Sequence, residues 1–70
     1  MKTEENLAFG KRVEQLRKEA GLSQEQFAYE CEVDRTYIGT IERGEKSPTL
    51  NTIAKIAKAF KISKSELFNY

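Results

Sequence analysis

SQEQFAYECEVDRTYIGTIERG, residues 23–44, is punctuated at both ends and once in the middle. Ser23 with Gln26 three positions later makes a capping box, a serine and a glutamine that satisfy each other's free backbone N–H groups. The helix it opens carries Phe27, Ala28 and Cys31 to one side and runs out near Cys31. Asp34 offers a fresh N-cap after only Glu32 and Val33. A second helix follows to about Arg43, with Gly44 placed to stop it. Two short amphipathic helices across a tight turn have the spacing of a helix-turn-helix. Other helical hairpins share that spacing, so the exposed face of the second helix must carry the functional reading.

That face can be laid out at about 100° per residue. With Ile38 and Ile41 toward a core, Asp34 falls on the same side. Thr36, Thr40 and Arg43 then lie opposite, Arg35 and Gly39 flank them, and Tyr37 and Glu42 sit at the core boundary. The expected exposed ridge is Arg35, Thr36, Gly39, Thr40 and Arg43. Threonine is a poor helix former, so it is a costly choice for a face that only meets water. A short, polar, nearly acid-free ridge suits the DNA major groove. There Arg donates twice to guanine O6 and N7, and Thr bonds a base edge or packs on the thymine methyl. An ordinary solvated face is the competing reading.

Further helices flank this pair. Phe9, Val13, Leu16 and Ala20 recur at helical spacing, with Gly21 as a stop, which predicts a first helix over roughly 5–20. Ser47-Pro48 pairs an N-cap with proline at the first helical position. It predicts a fourth helix reaching Phe60, with Leu50, Ile53, Ala57 and Phe60 on its inner stripe. Ser63 and Glu66 read as a second capping box opening a short fifth helix that ends near Phe68. Nothing reads as a strand. The expected fold is all-α: a compact five-helix, repressor-like domain.

Composition narrows the function. Seventy residues make one domain at most. There is no histidine and a single cysteine, so an intrachain disulfide and the usual zinc ligand sets are excluded. The commonest general acid/base is missing too, and no nucleophile–base set suggests an enzyme. The acidic start MKTEENLAFG lacks a signal peptide's apolar stretch, and no run approaches a membrane span, which points to the cytoplasm. Net charge is only +1, but it is unevenly spread. Residues 1–45 hold seven of the twelve basic side chains and ten of the eleven acidic ones. Residues 46–70 hold five lysines against Glu66 alone, so a local positive surface is compatible with a nearly neutral chain.

GLSQEQFAYECEVDRTYIGTIERGEKSPTLNTIAKIAKAF resembles the phage repressor/Cro-type, or XRE-type, helix-turn-helix family. The likeness extends from about Phe9-Gly10 to Leu67, and LSQEQFA, ERG and SPTLNTIAKIAKAF carry it. Within that family, DRTYIGTIERG and the small size are most similar to the controller proteins of restriction–modification systems. The resemblance implies a homodimer on inverted or direct DNA repeats, with the third helix as recognition helix. It places base contacts on Arg35, Thr36 and Thr40, with Tyr37 reaching base or backbone. It places a phosphate contact on Gln24 and further backbone contacts on Arg43, Lys46, Ser47 and Thr49. It also pairs Arg17 with Glu42 in a partly buried salt bridge. One position departs from the family: Glu32 stands where a turn glycine is usual, a place that calls for a left-handed conformation.

Cys31 reads as a small buried hydrophobe, and Lys55, Lys58, Lys61 and Lys64 as a solvated face or a source of long-range steering. The apolar C-terminus suggests a two-fold contact through Ile62, Leu67, Phe68 and Tyr70. The sequence thus predicts a DNA-binding transcriptional regulator with a helix-turn-helix at about 23–43 and dimerisation elements at about 49–70. It acts by occlusion or by contact with RNA polymerase, needs no cofactor or metal, and has no room for a small-molecule sensing domain. An antitoxin or other protein-binding partner on the same fold is the alternative.

Overall fold

The structure is a computed structural model that describes residues 2–70. Five helices follow one another, and the described residues contain no strand: α1 (Glu4–Glu19), α2 (Gln24–Cys31), α3 (Arg35–Glu42), α4 (Leu50–Phe60) and α5 (Lys64–Leu67). None is long and apolar enough to cross a membrane.

Side-chain caps start each helix. Thr3, Ser23, Asp34, Thr49 and Ser63 all hold extended backbone and accept a hydrogen bond from an N–H of the first turn. Ser23 and Gln26 complete the reciprocal box. At α5 only half of the expected box forms: Ser63 Oγ accepts from the Glu66 N–H at 3.0 Å. α4 starts later than the sequence suggested. Its cap is Thr49, not Ser47, and Pro48 lies before the helix rather than in its first turn. Tertiary contact favours the later start, because the Thr49 N–H reaches the Tyr37 hydroxyl of α3 at 3.4 Å. The Thr49 hydroxyl, in turn, takes the Thr52 N–H at 3.1 Å.

The first four helices end in left-handed turns that return N–H groups to the last carbonyls. Gly21 and Gly44 supply two of these turns, each at φ 74°. Glu32 (φ 59°) and Lys61 (φ 58°) supply the others. A side chain in this region costs about 1–2 kcal/mol. Glu32 therefore does adopt the left-handed backbone that its position in the turn demands.

The core gathers Phe9 and Val13 of α1, Phe27, Ala28 and Cys31 of α2, Ile38 and Ile41 of α3, Ile56 and Ala57 of α4, and Leu67 of α5. Phe27 stacks on Phe60 with ring centroids 4.6 Å apart. α1 can press against α3 because residue 10 is glycine. A Cβ there would run into the Ile41 carbonyl oxygen and lie 2.7 Å from that of Glu42. The Arg12 guanidinium of α1 holds α5 by donating to the carbonyls of Leu67 at 3.2 Å and Glu66 at 2.8 Å.

Three expectations about faces change. Ala20 lies beyond the end of α1 and is exposed, while Asn6, Gly10 and Arg17 join its buried stripe. Leu50, in the first turn of α4, is 83% exposed, and Thr52 and Ile56 are buried instead. Leu67 is fully buried within the protomer. It belongs to the core and is not available as a dimer contact.

Candidate nucleic-acid interface

The base of the site is a buried polar network. Arg17 of α1 donates from Nε to Glu42 Oε2 at 2.7 Å and from Nη2 to Glu42 Oε1 at 3.1 Å. Its remaining Nη1 donates to the Leu22 carbonyl at 2.8 Å. The guanidinium thus ties α1 to α3 and to the connection before α2. Hydrogen bonding to Glu42 raises the Arg17 pKa against the opposing effect of burial. Gln24, the first residue of α2, donates from Nε2 to Glu42 Oε1 at 3.0 Å. One Nε2 hydrogen is spent there, and the other remains available to a phosphate oxygen.

Above this base stands α3. Arg35 and Thr36, in its first turn, are exposed. Asp34 caps the helix through the Thr36 N–H at 2.7 Å. Tyr37 is half-buried, its hydroxyl against Thr49. Thr40 is half-buried and donates its hydroxyl to the Tyr37 carbonyl at 2.7 Å. It keeps an acceptor oxygen and a methyl group, but its proton is committed. Gly39 is buried, contrary to the expected ridge. The Arg43 side chain lies over it, with Nη1 only 3.0 Å from where a Cβ would stand.

Arg43 itself is held. It donates from Nε to Glu45 Oε2 at 3.0 Å and from Nη2 to Glu45 Oε1 at 3.1 Å. This hydrogen bonding raises the Arg43 pKa and lowers that of Glu45. Gln24, Arg35, Thr36, Gly39 and Arg43 together line a shallow concavity of about 180 Å³. The structure thus brings Gln24, Arg35, Thr36 and Arg43 onto one surface, with Thr40 turned partly inward.

Lys46, Ser47 and Thr49 are exposed in the connection from α3 to α4. Ser47 donates to the buried Asn6 at 3.1 Å, and Thr49 caps α4. Of the C-terminal residues, Phe68 and Tyr70 are exposed and Ile62 is half-buried. Phe68 also stacks on Phe9 at 5.3 Å, so only its outer side is free. Lys55, Lys58 and Lys61 share a hollow with Glu30, Glu32 and Cys31, a lining of mixed sign. Burial, with a smaller contribution from Glu30, pushes the Cys31 thiol up to about 11, so it stays protonated at neutral pH.

Sequence reading missed Glu45 and Arg12. Arg12 donates to backbone carbonyls far along the chain, and residue type gives no sign of that. Glu45 did leave a trace: a carboxylate just past Gly44 can fold back onto the preceding arginine.

A capped α2, a left-handed turn, and an α3 that offers Arg and Thr beside a pinned Gln define a helix-turn-helix. The family profile described as Helix-turn-helix matches residues 13–67, and the chain belongs to this family of DNA-binding transcriptional regulators. It is 42% identical over 65 residues to the control protein C.BamHI of Bacillus amyloliquefaciens, covering 91% of this chain and 80% of that one. It is 37% identical over 67 residues to the HTH-type transcriptional regulator PuuR of Escherichia coli, of which it spans 36%. Among solved structures, it resembles the restriction–modification controller protein C.AhdI of Aeromonas hydrophila, with a TM-score of 0.91 at 41% identity. That likeness covers 94% of this chain and 100% of the other.

Proposed function

We propose that this regulator binds operator DNA as a homodimer on repeated half-sites and serves as the controller of a restriction–modification system. The observation that carries the proposal is the end-to-end likeness to C.AhdI. α3 enters the major groove with Arg35 and Thr36 foremost, and Thr40 accepts or packs behind them. Gln24, Lys46, Ser47 and Thr49 approach phosphates from either side of α3, a positioning role that carries no sequence information. Residues 23–43 form the reading unit. The region from about 49 to 70 supplies the two-fold contact through Ile62, Phe68 and Tyr70. Regulation follows from occupancy of the operator, by blocking RNA polymerase or by touching it, and the protein works in the cytoplasm.

Gel shifts with the DNA upstream of its own gene, in excess competitor, test this reading. Sedimentation of the free protein runs beside them. The expected result is a dimer that retains a repeat-containing fragment at competitor levels that remove random DNA. Equal competition by random DNA would overturn the operator reading, and a monomer in both free and bound forms would overturn the dimer.

A further inference from the structure

We infer that Glu45 is a positioning residue that fixes Arg43 for a guanine contact in the groove, and that Arg43 reads a base rather than anchoring the backbone. The inference rests on the DNA-binding reading above and assigns a specificity role within it.

Three observations carry it. First, the Arg43–Glu45 bond is two-pronged and uses one side of the guanidinium, Nε and Nη2. Arginine has five N–H donors. The two on Nη1 and the second on Nη2 remain, and one from each nitrogen forms the end-on fork that guanine O6 and N7 accept. Second, the fork is aimed. Arg43 lies over Gly39 and lines the same concavity as Arg35 and Thr36, so its free end stands on the reading face of α3. A Cβ at residue 39 would stand 3.0 Å from Nη1, so the absence of a side chain there lets the guanidinium lie this close to the helix. Third, the pair carries almost no net charge. A phosphate anchor works through net positive charge and counterion release, and a carboxylate bonded to the same guanidinium removes that charge and repels the phosphate. A base edge is a neutral pair of acceptors and asks for aligned donors. The geometry explains how an i, i+2 pair forms at all. Gly44 takes a left-handed turn at φ 74°, which brings residue 45 back beside the end of α3.

Glu45 then has two effects. It holds one rotamer of a long side chain, so less freedom is lost on binding. It also withholds the Arg43 charge from phosphates of unrelated DNA, which favours the right sequence by weakening the wrong ones.

The test is a binding selection on randomised duplex DNA with the unaltered chain, Arg43→Ala and Glu45→Gln, followed by salt titrations on the selected site. Arg43 is exposed and Glu45 partly so, and thermal melts of the same samples verify the fold. Arg43→Ala should lower the preference for guanine at one position per half-site by roughly ten- to a hundredfold. Glu45→Gln should blur the same position, tighten binding to mixed-sequence DNA, and steepen the slope by about one phosphate contact. An unchanged sequence preference with a slope reduced by about one in Arg43→Ala would make Arg43 a backbone anchor and overturn the inference. So would Glu45→Gln behaving like the unaltered chain in both readouts. Failure of the unaltered chain to enrich any sequence would instead overturn the DNA-binding reading on which the inference rests.

Discussion

The molecule contains two arginine–glutamate pairs with nearly the same geometry and different surroundings. Arg17–Glu42 and Arg43–Glu45 are each joined by an Nε and an Nη2 hydrogen bond to the two oxygens of one carboxylate. In the first, the side chains are 10% and 3% exposed; in the second, 54% and 41%. The buried pair links helices far apart in sequence and has its spare donor taken by the Leu22 carbonyl. The exposed pair spans a single glycine and leaves Nη1, which lies over Gly39, without a protein partner. Identical chemistry thus serves the fold in one place and, on the proposal above, the reading face in the other. Burial alone predicts the division: a broken buried pair leaves an uncompensated charge, whereas exposed pairs contribute little to stability.

The largest effect should come from the buried pair. Arg17→Ala strands the Glu42 carboxylate and should cost about 3 kcal/mol of folding stability, read by urea denaturation. Its operator preference should be unchanged. Unaltered stability with a new base preference would place Arg17 on the wrong side of the division.

Arg35→Ala comes next, and its effect belongs to binding. Loss of one bidentate base contact should cost about 1–3 kcal/mol of operator affinity and relax one guanine per half-site. Its melting temperature should not move. Weaker binding with the same sequence preference would make Arg35 a phosphate anchor and shift the reading to Thr36, Tyr37 and Thr40.

Much of this division was legible before any coordinates. Ser23, Gln26, Asp34, Gly21 and Gly44 are local signals, since a cap or a left-handed stop acts within a few residues of itself, and they bounded α2 and α3. The same rules misplaced the start of α4, because Ser47-Pro48 and Thr49 both satisfy them locally and a contact with Tyr37 on another helix favours the second. Face assignments failed for the same reason. Leu67 looked like a surface residue of a terminal helix, yet Arg12 draws that helix onto α1 and buries it. On the reading face, the helical wheel exposed Arg35 and Thr36 correctly. It could not show that Arg43 would fold across Gly39, because that geometry depends on Glu45 beyond the helix end, where helical periodicity no longer applies.

A smaller effect tests both pairs in a firmer background. Glu32 holds a left-handed backbone at φ 59°, so Glu32→Gly should gain up to about 1 kcal/mol, read by the shift of the urea midpoint. Neither pair is touched, so the costs of Arg17→Ala and Glu45→Gln should add to this gain. A loss of stability would mean that the Glu32 side chain has a favourable contact in the turn.

The smallest expected change is the stability of Glu45→Gln. An exposed pair contributes little once water screens it. Its sign with pH is fixed: Arg43 lowers the Glu45 pKa, so any contribution is present at neutral pH and fades as pH falls through the lowered value. The acid limbs of the stability curves for Glu45→Gln and the unaltered chain should therefore nearly coincide. A clear gap at neutral pH that closes as the pH falls would show that the exposed pair also holds the fold.

Everything on the functional side depends on α3 lying in the major groove, and dimethyl sulfate interference reads that directly. The reagent methylates guanine at N7, on the major-groove edge, and adenine at N3, on the minor-groove edge. DNA methylated before binding is separated into bound and free fractions, and the two are compared. If α3 reads bases as described, the bound fraction is depleted in N7-methylated guanine at matching positions of the two half-sites, and N3-methylated adenine is tolerated there. Interference confined to adenine, or absent from the half-sites altogether, would contradict a major-groove reading by Arg35, Thr36 and Arg43.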